Sequence, residues 1–122
     1  MVNEAPPRRP QRVYGRGTDP DPRFSLANER TFLAWIRTSL ALFAAGIALE
    51  AVTLPIAPGF RRAAAVVLIL LGALAPAQAW SGWVRTEVAL RLGRGLPPPV
   101  MAVPVGAGLT LAGVLVLLGL LW

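Results

Sequence analysis

The sequence predicts an all-α integral membrane protein with three transmembrane helices and a cytoplasmic N terminus, and three observations lead there. Of the 122 residues, 55% are hydrophobic, and they gather into three long runs. Most charged residues collect before Thr38 or between Arg85 and Arg94, which leaves stretches too long and too apolar for the core of a soluble domain. All twelve basic residues are arginine, and their uneven placement is the kind that orients a chain in a bilayer. This length holds one domain.

Residues 1–21 read as a disordered, Arg/Pro-rich cytoplasmic tail, because a segment so poor in apolar side chains cannot repay its ordering entropy. Residues 22–122 form the membrane domain, with helices over about 22–54, 63–88 and 100–122. Asp21 is placed to cap the first helix, with Pro22 at its first position and Ser25 as a second candidate cap. Pro55 ends that helix. About thirty residues make ~45 Å, longer than a ~30 Å hydrocarbon core, so its first turns project from the membrane. The apolar run begins near Phe32, too late and too long for a cleaved signal peptide.

"LPIAPGFRR" over 54–62 reads as a short turn. The second span, Ala63–Val84, contains Pro76, which a membrane helix tolerates when a neighbour satisfies the freed carbonyl. Trp80 and Trp83 are interfacial anchors, and a helical extension beyond them breaks at Gly93, Gly95 and three prolines. In the third span Gly106, Gly108, Gly113 and Gly119 mark close helix packing. The N-terminal side and the second loop carry most of the arginine, which places both in the cytoplasm of a multi-pass plasma-membrane protein.

Composition also excludes chemistry. Without cysteine or histidine there is no disulfide framework and no Cys/His metal or haem site. The six acids Glu4, Asp19, Asp21, Glu29, Glu50 and Glu87 lack metal-ligand spacing. No nucleophile–base pair or Gly-rich phosphate loop appears; "GRG" at 15–17 and 93–95 reads as turn. The protein is therefore expected to be no enzyme and to use no cofactor. A net charge of +6 without a nucleic-acid motif argues against a nucleic-acid partner.

The distinctive stretch is "FSLANERTFLAWIRTSLALF", residues 24–43. Arg30 and Arg37 stand seven residues apart, hence within about 20° on one helix face, which Ala34, Ala41, Ala44 and Ala48 continue. Phe32, Trp35 and Phe43 point elsewhere. Arg37 lies ~7.5 Å beyond Phe32, so its insertion penalty should fall below the ~2.5–3.5 kcal/mol of a helix centre. Three chemistries suit such a stripe. The arginines snorkel towards the headgroups or pair with carboxylates such as Glu29 on a neighbouring helix, serving insertion and assembly; or they ring an axis as an anion path, using charge and the bidentate guanidinium fork; or they hold anionic lipid headgroups. Glu29 suits either the helix dipole or a salt bridge to a neighbouring subunit. Glu50, ~140° from Arg37, should meet Arg61 or Arg62 at the outer interface.

At Ala27-Asn28-Glu29-Arg30-Thr31-Phe32-Leu33-Ala34-Trp35-Ile36-Arg37 the chain resembles the YidH-like small membrane proteins, the family of domain of unknown function 202. "WVRTEVALRLGRGLPPP" resembles that family's charged segment between its second and third spans. The likeness runs over about residues 19–122. That family in turn is similar to the three-helix membrane part of the vacuolar transporter chaperone complex, which makes polyphosphate and moves it across a membrane. The resemblance implies a homo-oligomer, with five copies by analogy, and a phosphate-rich anion as partner. It implies lining positions at Arg30 and Arg37, a basic residue before the span at Arg23, and a subunit contact at Glu29. The chain has neither the catalytic polymerase domain nor the phosphate-sensing domain, so synthesis is not implied.

Overall fold

A computed structural model describes residues 6–122, and the first five residues of the expected tail lie outside the described residues. Four helices follow one another: α1 (Gln11–Tyr14), α2 (Pro22–Ala51), α3 (Pro58–Leu92) and α4 (Ala102–Leu121). Among the described residues there is no strand. The three long helices are each long and apolar enough to cross a membrane, which is the architecture the sequence predicts.

Asp21 caps α2 as expected, its Oδ1 accepting the Arg23 backbone N–H at 2.9 Å, with Pro22 in the first turn. Ser25 is not a cap; its hydroxyl is used elsewhere. Helix α2 stops at Ala51, earlier than expected, because Val52 turns extended (φ −97°, ψ 136°) ahead of Pro55. The turn is shorter than 54–62. Pro58 opens α3 at a position that needs no N–H donor, so Gly59–Arg62 are already helical. At its far end α3 overshoots to Leu92 and stops at Gly93, whose φ of +66° is left-handed and suits glycine. The Arg94 N–H then closes on Ala89 O at 2.8 Å.

Pro76 leaves the carbonyl of Gly72 without its helical donor. The Ser39 hydroxyl fills the gap, donating to Gly72 O at 2.6 Å from a side chain only 2% exposed. The proline is thus accommodated by a specific residue of the neighbouring helix.

Helix α3 packs along both α2 and α4, whereas those two do not approach closely through their backbones. The contact surfaces are built from small residues: Ala64, Ala65, Ala75, Ala79 and Ala112 are buried, as are Gly46 and Gly72. A methyl group on Gly46 would meet Ile69 Cγ1 at 2.6 Å, so the α2–α3 approach there requires glycine. Of the four α4 glycines, Gly108 and Gly119 face Leu71 and Ile56, while Gly106 and Gly113 face open space and make no such packing contact. Large apolar side chains such as Leu40, Ile47, Leu70, Leu74 and Val103 cover the outside. Hydrocarbon, not water, is the solvent for that surface.

The end remote from the N terminus is closed by several contacts. Ala57 N–H donates to Gly119 O at 2.9 Å, and Phe60 and Trp122 meet with ring centroids 6.3 Å apart. The expected partner of Glu50 is Arg61, with Nε 3.6 Å from Oε1.

The expected disorder over residues 1–21 is not what residues 6–21 show. Val13 is fully buried, α1 lies against α3, and Thr18 N–H donates to Arg91 O at 3.2 Å. The reason is the overshoot of α3, which presents Arg91 to three acceptors of the tail.

Candidate functional site

Two hydrogen bonds fix the α2–α3 register: Ser39 to Gly72 O and, one end along, Asn28 Nδ2 to Trp83 O at 3.1 Å. In that register Arg37 is level with Leu74, about midway along the apolar run Ala63–Val84. At that level α4 is only beginning, since Met101 and Val105 pack on Ala75 beside Trp35, so Arg37 stands beside the first turns of the third span and its penalty stays below the ~2.5–3.5 kcal/mol of a helix centre. The side of α2 that meets α3 carries Asn28, Ser39, Leu42 and Gly46, all buried. At ~100° per residue, Arg30 and Arg37 lie on the opposite side with Ala34, Ala41, Ala44 and Ala48, and all six are exposed. Neither arginine forms an ion pair or hydrogen bond among the described residues.

Arg23 is on the same side but engaged, its Nη2 2.8 Å from Asp21 Oδ2. Those contacts hold the Asp21 carboxyl below its ordinary value. Glu29 is exposed on the flank between the packed side and the arginines, with no ion pair among the described residues. Arg30, Arg37 and the alanines therefore share a free face, Arg23 joins it as half of an ion pair, and Glu29 borders it.

Sequence reasoning passed over a second polar group, inside the bundle. Glu87, 3% exposed, accepts the Ser25 hydroxyl on Oε1 and Asn28 Nδ2 on Oε2 at 3.2 Å. Each carboxylate oxygen thus has a donor, as a buried polar group requires. The signal was spacing: stepping by three and four from Gly72 through Ala75, Ala79 and Trp83 arrives at Glu87, on the packed side of α3. The motif around Asn28 is split accordingly, with Asn28 turned inward and Arg30 and Arg37 outward. Among the described residues no group of three or more His, Cys, Asp or Glu side chains is placed to hold a metal ion.

The model of the domain of unknown function DUF202 matches residues 23–89, the segment that carries both polar groups. The chain belongs to the DUF202 family. The inner membrane protein YidH of Escherichia coli K12 is 46% identical over 82 residues, covering 66% of this chain and 71% of YidH. An uncharacterized protein of Mycobacterium tuberculosis H37Rv, Rv2272, is 42% identical over 102 residues, covering 81% of this chain and 82% of the relative. No solved structure matches the chain. Family membership and the three spanning helices make this a multi-pass protein of the cell membrane.

The DUF202 match stops before Arg91, where the tail is fastened. Arg91, 8% exposed, donates from Nε to Arg16 O at 2.8 Å, from Nη1 to Asp19 Oδ1 at 2.6 Å and from Nη2 to Tyr14 O at 3.2 Å. Arg8 joins Asp19 from the other side, and Arg8 and Arg91 both lie over the Tyr14 ring. The Arg91 hydrogen bond, then the Arg8 one, hold the Asp19 carboxyl below its ordinary value of 3.8. A carboxylate favoured in the folded state stabilises the latch above that value, and the stabilisation disappears as pH falls through the lowered one. A spin label at Gln11→Cys is expected to stay immobilised through neutral and mildly acidic pH and to gain mobility only below 3.8. Asp19→Asn should raise its mobility at neutral pH without releasing it, since Arg91 still donates to Arg16 O and Tyr14 O; a label equally mobile in both proteins at pH 7 would show that the Asp19 pair does not contribute to the latch.

Proposed function

We propose that this DUF202 protein is a non-enzymatic module that self-associates through the free side of α2, with its N terminus in the cytoplasm. Arg37, Arg30 and Arg23 of several copies line an anion path, and Glu29 contacts the adjoining subunit. The observation that carries this reading is the placement of Arg37, which stands inside the apolar part of α2, opposite the packed side of its own helix and without an acid partner among the described residues. In a lone chain that guanidinium meets hydrocarbon, a position membrane proteins reserve for charges facing a bundle interior or a water-filled cavity. Rings of arginine suit anion and phosphate pores, and the exposed alanines above allow helices to approach. The likeness to the membrane part of the polyphosphate-handling chaperone complex supports a phosphate-rich polymer as the passing species. Arginine placement supports the orientation.

The chain has no cysteine, so a single introduced one reports cleanly. With Ala44→Cys on the free side of α2, a short bis-maleimide is expected to produce a ladder of cross-linked species in native membranes. Leu74→Cys, on the exposed side of α3, should stay monomeric. Wild-type protein in liposomes should release trapped short-chain polyphosphate. Monomer alone at Ala44→Cys would remove the assembly, and with it the path.

A further inference from the structure

A second group of arginines, away from α2, gathers where the tail, α3 and the loop after it meet. Arg12 of α1, Arg16 just beyond it, Arg85 of α3 and Arg94 after the Gly93 stop line one hollow of about 340 Å³, floored by Val88 and Ala89. None of the four forms an ion pair among the described residues, and no acid lines the hollow. Four exposed like charges with no acid among them make a local positive field that favours an anion, and Arg12 also lies over the Trp80 ring, 6.0 Å from its centroid.

Arg85 also lines an adjoining cleft of about 320 Å³, whose walls include Phe24, Trp35, Trp83, Leu96 and Met101. Pro97 borders both spaces. The basic hollow thus opens beside an apolar one, with Arg85 between them, at the end of α3 where stacked Trp80 and Trp83 mark the membrane interface. That is the shape of an amphiphile with an anionic head. Basic pockets between helices at this level suit phosphorylated lipid headgroups, and aromatic and aliphatic walls suit an acyl chain. A soluble polyanion would fill the hollow and leave the cleft empty.

We propose that the joined hollow and cleft hold one anionic phospholipid, its phosphate among Arg12, Arg16, Arg85 and Arg94 and an acyl chain in the cleft beside Trp83. This site is separate from the α2 stripe and stands or falls without it.

Native mass spectrometry of the full chain in mild detergent, with phosphatidylglycerol and phosphatidylcholine added in equal amounts, tests the assignment. The wild type is expected to retain phosphatidylglycerol over phosphatidylcholine by about ten-fold. Arg85→Gln with Arg94→Gln should bring the two lipids to parity, and Arg30→Gln with Arg37→Gln should leave the preference intact. Leu96→Trp keeps every charge and fills the cleft, so it should also weaken phosphatidylglycerol retention, while inorganic polyphosphate binding persists. Equal retention of the two lipids by the wild type would overturn the proposal. So would loss of the preference through the Arg30 and Arg37 changes alone, or a Leu96→Trp protein indistinguishable from wild type, which would show that no acyl chain occupies the cleft.

Discussion

Glu87→Ala is expected to lower the unfolding free energy by about 2–4 kcal/mol, read as a drop in the thermal midpoint of the helical signal in detergent. The carboxylate stands between α2 and α3 where both of its oxygens are used, one by the Ser25 hydroxyl and one by Asn28 Nδ2. Truncation strands two donors in a place 3% open to solvent and leaves a void behind them. Asn28 retains Trp83 O as an acceptor, so the Ser25 hydroxyl bears more of the loss. Glu87→Gln should cost less, because its carbonyl still accepts one of the two bonds. Combining Ser25→Ala with Glu87→Ala should cost less than the two single changes added together, since both remove the same contact. Full additivity would mean that Ser25 and Glu87 do not communicate, leaving the Asn28 hydrogen bonds as the polar tie between the two helix ends.

The parts of this fold that could be read in advance were those set by local chemistry. Three apolar runs announce three spans, Asp21 before Pro22 announces a cap, and the opposed charges of Glu50 and Arg61 find each other because both sit at the same membrane surface. What needed coordinates was set by register between helices. Proline chemistry requires that Gly72 O find a donor, but only the α2–α3 alignment selects Ser39. The tail misled for a related reason: its composition lacks a core, yet its order comes from Arg91, whose position depends on α3 running on to Gly93. The seven-residue spacing of Arg30 and Arg37 was visible at once. That their side of α2 is the one its own bundle leaves free was not, because both sides of that helix carry small residues.

Arg37→Leu is expected to reduce anion release from liposomes by at least about ten-fold while leaving the thermal midpoint unchanged or higher. The two effects have different origins and therefore different signs. For the single chain, the substitution replaces a guanidinium inside the apolar run with an alkyl group, removing an insertion penalty that stays below the ~2.5–3.5 kcal/mol of a helix centre. For an assembly whose copies turn this face inward, it removes one ring of fixed charge, and a passing anion loses the field and the forked hydrogen bonds that replace its water. Arg37→Lys keeps the charge without the fork and should fall between the two. A scaffold behaves otherwise. If Arg37 holds a seam by pairing with Glu29 of a neighbour, losing it strands a carboxylate, so the midpoint falls and the Ala44→Cys ladder disappears. Wild-type liposomes would then also stay sealed. The sign of the stability change therefore separates a paired seam from an unpaired charge even before flux is measured, and the flux then decides whether that charge serves a passing ion.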